Sequence, residues 1–333
     1  MQIPMQTILS DHDSVMPWSL TRFPNYARAQ VAESIDAYDI TEQEFRRDFV
    51  ERNRPCVVKR AVTHWPAYKR WTEIDYLRKH STNAEVVTRT GAVSEVSGWA
   101  RPEVRERLQA HSGAMYRSMA FHDFLAQMDD KGRDSPLIAD SCRFSEGAPI
   151  EQMKDDVGGV PFLDVMPKSR VYPPHRVFFY RNSYTDWHFH PTDETFMSQV
   201  VGAKEVLLLP PDQPSWDALH PLISDHGYLY DIDIKRFPDV GRLQPTLAVV
   251  EPGDALYIPV FWWHAVQSLN KDFGVTVAAT FPTPLHINGD LRFPVVRRLF
   301  KEHLLSRHGP LVLGAVAYSM CHRLSRRLAG QRA

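Results

Sequence analysis

The stretch Trp187-His188-Phe189-His190-Pro191-Thr192-Asp193-Glu194, answered far downstream by Pro259-Val260-Phe261-Trp262-Trp263-His264, decides how this chain is read. On an extended strand, side chains two residues apart share a face, so His188 and His190 aim two imidazoles at one point. His264 supplies a third from a distant strand, and Glu194 is close enough in sequence to add a carboxylate. Asp186 and Asp193 are rival acids; alternation puts Asp186 on the face of His188 and His190. Imidazoles and a carboxylate around one ion, with positions left open, suit non-haem iron doing oxygen chemistry. Zinc, manganese and copper accept the same donor types. Any single histidine reads equally as a satisfied core residue, and Glu194 as a solvated turn acid; the three histidines together favour a metal.

The surrounding texture sets the fold class. From about residue 135 onward, short strands alternate with Pro, Gly and Asp: Arg176 to Tyr180, Thr185 to His190, Phe196 to Val201, Glu205 to Leu209, Thr246 to Val250, Ala255 to Ile258 and Gly274 to Ala279. That pattern reads as a mostly β jelly roll or barrel with flanking helices. Upstream, Thr41 with Glu44 forms a capping box for a helix to Arg52 that buries Phe45 and Phe49. A strand follows at Arg54 to Arg60, then a helix through Trp71, Ile74 and Leu77, a strand at Ala84 to Thr88 and a helix near Phe121 to Met128. Residues 1–30 read as an arm, 31–285 as the β domain and 286–333 as a helical segment. In that segment Asp290 caps a helix through Val296 and Leu304, and a second, apolar helix runs from Leu311 to about Leu328. Packing on the barrel is one use for these helices, a homodimer interface another, an anionic partner a third.

Composition narrows the class of protein. The 333 residues carry a formal net charge of −1, which gives no pull toward nucleic acid or membrane. Cys56, Cys142 and Cys321 are scattered without CxxC spacing and read as reduced thiols. No signal peptide and no membrane-length apolar run stands out, so the expectation is a cytoplasmic protein. His175, His220 and His226 read as loop histidines at the surface, and Arg89 and Arg181 as exposed arginines. Trp187, Trp262 and Trp263 read as core fillers ahead of pocket walls.

The residues also carry a family resemblance. Arg54-Pro55-Cys56-Val57-Val58, Trp65-Pro66-Ala67, Gln199 through Pro211, and Pro252-Gly253-Asp254-Ala255-Leu256-Tyr257-Ile258-Pro259 through His264 resemble JmjC-like (cupin-8) proteins over roughly residues 38 to 285. The resemblance implies a double-stranded β-helix and, in many members, iron(II)- and 2-oxoglutarate-dependent hydroxylation of a protein side chain or small molecule. By position, His188 and His264 correspond to metal histidines, while Thr185 and Lys204 correspond to residues that hold the far carboxylate of 2-oxoglutarate. The chain departs from the pattern at His190, where the family carries an aspartate, and Val277-Ala278-Ala279-Thr280 stands where many members carry an asparagine. His188, His190, His264 and Glu194 also approximate the three-histidine, one-glutamate set of small cupin enzymes that work without 2-oxoglutarate. A non-catalytic binding protein on the same fold is the third reading.

Overall fold

The structure, a computed structural model, describes residues 19–90, 101–104, 106, 116–129, 136–163, 169, 172–225 and 232–328. Its strands are β1 (Gln30–Val31), β2 (Ser34–Asp36), β3 (Cys56–Lys59), β4 (Glu85–Arg89), β5 (Tyr116–Ala120), β6 (Leu137–Cys142), β7 (His175–Arg181), β8 (Tyr184–His188), β9 (Asp193–Val201), β10 (Lys204–Leu209), β11 (Thr246–Val250), β12 (Ala255–Ile258), β13 (Trp263–Ser268) and β14 (Phe273–Pro282). They form a five-stranded sheet ordered β1-β11-β10-β13-β8 and a nine-stranded sheet ordered β2-β3-β12-β9-β14-β7-β6-β4-β5. Chain neighbours β9 and β10 lie in different sheets, as do β12 and β13, so the chain crosses repeatedly between two facing layers. This is a cupin-type jelly roll.

Helices cover the outer faces: α1 (Glu42–Phe45) continuing as a π turn over Arg46–Val50, α2 (Pro66–Arg70), α3 (Ile74–His80), α4 (Phe121–Asp129), α5 (Gln213–Asp225), α6 (Leu285–Asn288), α7 (Pro294–His303) and α8 (Gly309–Leu328). The capping box holds as read: the Thr41 hydroxyl accepts from the Glu44 N–H, and the Glu44 carboxylate accepts from the Thr41 N–H at 3.0 Å. Phe45 and Phe49 are buried and stacked, with centroids 5.8 Å apart. The helix expected through Trp71 and Leu77 is two helices, α2 and α3, because the chain turns at Trp71 and Thr72. The helix expected to start at Asp290 starts at Pro294, whose missing N–H costs nothing at a first helical position. Asp290 instead pairs with Arg292 at 2.8 Å and Arg323 at 3.1 Å, tying α8 to the loop before α7. Of the N-terminal arm, residues 1–18 lie outside the described residues. Leu20 and Phe23 are buried beneath the small sheet with Trp187 and Trp263.

Period-two alternation assigns each strand face to one of three cores. On β9, Phe196 and Val200 join Phe45, Trp71, Phe179 and Tyr257 in the core under the N-terminal helices. On β10, Leu207 and Leu209 pack outward against Leu219 and Leu222 of α5. The inward residues Val206 and Leu208 meet Leu256, Ile258 and Met197 between the sheets. Each such fully buried side chain contributes about 1.5–3 kcal/mol. Lys204 shares the inward face with Val206 and Leu208, which places a lysine inside the roll beyond its apolar plug.

Candidate metal centre and its pocket

A cavity of about 250 Å³ opens between the sheets, with His188, His190 and His264 at its wall and Thr185, Lys204 and Arg89 also lining it. His188 and His264 are direct cross-strand partners on β8 and β13, which brings two residues far apart in sequence to a ring-centroid distance of 4.1 Å. His190 lies just past the end of β8, its ring 4.9 Å from His264 and 5.6 Å from His188. One donor atom from each of the three falls within 4.8 Å of the others. The position of His190 depends on a strained turn: Phe261 holds φ 70° and donates its N–H to the His190 carbonyl at 2.9 Å. A bulky residue in the left-handed region is costly and persists where surrounding structure enforces it.

The orientation of the rings follows from their partners. His188 Nδ1 lies 2.8 Å from the Asp186 carbonyl oxygen, and His264 Nδ1 lies 2.9 Å from that of Trp262. A carbonyl only accepts, so each Nδ1 carries a proton and each Nε2 is the ring nitrogen left for a metal. His190 Nδ1 pairs with the Thr195 hydroxyl at 2.7 Å. Burial, then the charges of His188 and Arg176, hold the His190 imidazole well below its ordinary range. Burial, then His188 and His190, do the same for His264. Neutral imidazoles with the second nitrogen anchored are the form in which histidine binds a divalent transition metal. The donor set fits such an ion.

None of the three acids joins the histidines among the described residues. Glu194 belongs to the opposite face of β9 from the pocket-lining Thr195 and Met197. Its Oε2 accepts from the Tyr257 hydroxyl at 2.7 Å and the Val260 N–H at 3.1 Å, fully buried. Burial pushes its carboxyl up to about 7 against the downward pull of those hydrogen bonds. The expectation that Glu194 completes the ligand set is therefore corrected: strand parity turns it into the helical core. Asp186 is turned away by a bulge. The β8–β13 register shifts between His264 and Val266, so Thr185 and His188 share the pocket face and Asp186 does not. Asp186 Oδ1 accepts from the Trp187 N–H at 2.9 Å, and Asp193 Oδ2 accepts from Ser169 at 2.8 Å.

The rest of the pocket is cationic. Lys204 is buried with its Nζ 4.0 Å from the Tyr180 ring centroid. Burial, then the charge of Arg89, lowers its ammonium to about 7. Two glycines build this corner. Gly202, at φ 71°, makes the turn that delivers Lys204, and a Cβ at Gly274 would meet the Tyr180 ring at 2.3 Å. Gln199 fixes Tyr180 by donating to its hydroxyl at 2.6 Å. Arg89 donates to the Thr185 hydroxyl at 3.2 Å and to the Tyr184 carbonyl at 3.3 Å. Arg89 and Arg181, expected at the surface, are both buried, Arg181 donating to the Met128 carbonyl. His175 begins β7 with its ring largely buried and His220 sits on α5, so neither is a loop histidine; His226 lies outside the described residues. Trp187 and Trp263 fill the core, as expected.

A second three-donor cluster, Glu51, His286 and His322, lies where α6 and α8 meet the end of the π turn, its donor atoms also within 4.8 Å. Among the described residues no helix is long and apolar enough to cross a membrane.

Residues 42–284 match the family described as Cupin-like domain. Among curated proteins, the chain is 27% identical over 245 residues to Lysine-specific demethylase JMJ30 of Arabidopsis thaliana, covering 70% of this chain and 51% of that protein. It is 26% identical over 257 residues to tRNA wybutosine-synthesizing protein 5 of Danio rerio, covering 72% of each. It is 26% identical over 266 residues to the human Bifunctional peptidase and (3S)-lysyl hydroxylase JMJD7, covering 68% of this chain and 77% of that one. The chain thus spans about half the length of the Arabidopsis relative. With the two-layer roll and the matched span agreeing, the chain belongs to the JmjC/cupin family, as a cupin-like domain protein.

Proposed function

We propose that this chain is a mononuclear non-haem iron(II) oxygenase that uses 2-oxoglutarate to oxidise a C–H bond. One observation carries the reading: a single cavity joins three anchored histidines to a buried lysine, an arginine and a threonine hydroxyl. His188, His190 and His264 would hold the iron through Nε2 or the free ring nitrogen. When bound, iron with 2-oxoglutarate supplies oxidative decarboxylation to succinate coupled to hydroxylation of a substrate. Lys204 and Thr185 receive the far carboxylate of the cosubstrate, and Arg89 orients Thr185. A carboxylate there restores the proton to Lys204, because a buried ammonium needs an anionic partner. The apolar plug of Val206, Leu208 and Ile258 excludes water from the inner side of the site. The relatives named as demethylase and hydroxylase support C–H oxidation. The reading with three histidines, one glutamate and no 2-oxoglutarate loses its support with Glu194 facing away.

The activity test is succinate release from 2-oxoglutarate under oxygen by the iron-loaded chain. Expected is succinate well above free iron, abolished by His190→Ala. A chain that holds one iron, binds 2-oxoglutarate and still releases no succinate, with or without an added substrate panel, sinks the proposal. As partner we propose a second copy of the chain along α8, whose Leu313, Met320, Leu324 and Leu328 are exposed at intervals of seven, four and four residues on one face of the helix. Light scattering of Met320→Glu against the parent tests it: a dimer that becomes a monomer supports the interface, and an unchanged mass rejects it.

A further inference from the structure

The basic end of α8 has a role that neither the metal centre nor the exposed apolar face of that helix accounts for. A second cavity, of about 490 Å³, lies where α8 meets α6, the loop before α7 and the segment just past the π turn. Among the described residues, Arg52, Arg292, Arg323 and Arg326 line it against two carboxylates, Glu51 and Asp290. Arg323 and Arg326 are the inner pair, 26% and 23% exposed, against 53% and 60% for Arg52 and Arg292 at the mouth. On α8 the inner pair shares the domain-facing side with His322, away from Met320 and Leu324.

The acids are already shared between cations. Asp290 Oδ2 lies 2.8 Å from Arg292 and its Oδ1 3.1 Å from Arg323. Glu51 Oε2 lies 2.9 Å from His286 Nε2 and 3.7 Å from Arg326 Nη1. Arg52 reaches Asp48, outside the cavity, at 3.3 Å, but Asp48 is itself matched by Arg47 at 2.5 Å. Four guanidiniums against two carboxylates leave an excess of two positive charges with every one of these pairs in place. The Arg326 contact is longer than a hydrogen bond, and its Nε–H is buried with no acceptor among the described residues. The imidazoles of His286 and His322 stack alongside, 3.9 Å between centroids. Burial, then His286, holds the His322 imidazole below its ordinary range against the upward pull of Glu51. An anion in the cavity would oppose that shift.

We propose that this cavity binds a phosphate group, either the free ion or the end of a small phosphate ester. The charge of a phosphate dianion equals the excess. The guanidiniums approach from three separate elements, and a tetrahedral anion offers oxygens in several directions where a carboxylate offers two in one plane. The volume falls within the roughly 300–1,000 Å³ of small-molecule sites. The bound group clamps α8 onto the segment behind the metal centre. Asn53, also at the cavity wall, donates to the Val260 carbonyl at 3.1 Å and accepts from Trp262 Nε1 at 2.8 Å, two residues from His264.

The test is calorimetric titration of the full-length chain in about 0.15 M chloride, which screens loose surface binding. The probes are inorganic phosphate, glycerol phosphate and malonate. Expected is one phosphate per chain with a sub-millimolar Kd, and malonate weaker by about tenfold or more. Arg326→Gln and Arg52→Gln should each weaken phosphate about tenfold or more. Arg52 makes no tie to α8, so its variant removes charge while the helix stays docked, which circular dichroism confirms. Tighter glycerol phosphate marks an ester as the ligand, and tighter inorganic phosphate marks the free ion. Folded Lys204→Met and His264→Ala, which alter the other cavity, should leave phosphate affinity unchanged. No heat at about 10 mM phosphate, malonate bound as tightly, undiminished affinity in both arginine variants, or loss of binding in Lys204→Met or His264→Ala each overturns the proposal.

Discussion

Two clusters in this molecule bring three metal-capable donors within 4.8 Å of one another, and they are built on opposite principles. At His188, His190 and His264 the rings are inclined by 53° to 76°, and two of them donate Nδ1–H to backbone carbonyls, so the free nitrogens face a common cavity. At Glu51, His286 and His322 the two imidazoles stack 3.9 Å apart and only 19° from parallel, so their in-plane lone pairs cannot converge without rotation. Glu51 is already satisfied there, with Oε2 2.9 Å from His286 Nε2 and 3.7 Å from Arg326. His286 beside it holds its carboxyl below the ordinary range. The first cluster is a set of aimed donors; the second closes an ion-paired seam between α8 and the domain. Proximity of donor atoms is shared, and orientation by the residues behind them is what differs.

The sharpest break of that comparison is a pair of alanine variants. His264→Ala should weaken Mn(II) binding beyond the roughly 100-fold that loss of an outer partner costs, while His322→Ala leaves it unchanged, as read by the free Mn(II) signal in electron paramagnetic resonance. Next in size is Glu194, the acid that parity keeps out of the first cluster. Its carboxyl has ordinary value 4.5 and sits at about 7 in the fold, so the protonated form is the one the fold favours. Stability should therefore fall as pH rises from about 4.5 to about 7, by on the order of 3 kcal/mol from this group. Chemical denaturation across that range should show the fall flattened in Glu194→Gln; equal slopes in both proteins would place Glu194 elsewhere.

Smaller effects probe the cationic end. Lys204→Met should weaken 2-oxoglutarate binding about 10- to 100-fold by calorimetry, as loss of a hydrogen bond to a charged group does. Because free Lys204 sits at about 7, the parent should lose 2-oxoglutarate affinity as pH rises above that point, by up to about tenfold per unit. Smallest is Thr195→Val, which removes the hydroxyl behind His190 and should cost about tenfold in metal affinity with no change in fold. An unchanged affinity would show that the His190 ring is aimed by packing alone.

What was legible in the sequence follows from the range over which each feature is encoded. His188, His190 and His264 were readable because each sits in a local motif, and the strand pattern of the roll is a period-two signal that survives without tertiary knowledge. Thr185 and Lys204 were readable through the family resemblance, and both line the cavity. Glu194 and Asp186 were misplaced for one shared reason: facing depends on where a strand begins and whether it bulges, and neither the start of β9 at Asp193 nor the β8 bulge has a local signature. Arg89 was invisible because its burial is created by the pairing of β4 with β6, a long-range register. Helix α5 escaped notice because Pro214 and Pro221 lie within it and read as breakers.

In the proposed site, three histidines and no acid hold one iron facing a 2-oxoglutarate pocket. Its most direct test is anaerobic titration of the purified chain with iron(II) followed by 2-oxoglutarate, watching the visible charge-transfer band. Expected are one iron per chain and a band that saturates with one 2-oxoglutarate, both lost in His264→Ala and the band alone weakened in Lys204→Met. Full iron occupancy in His264→Ala, or bound iron that gives no band at saturating 2-oxoglutarate, would contradict it.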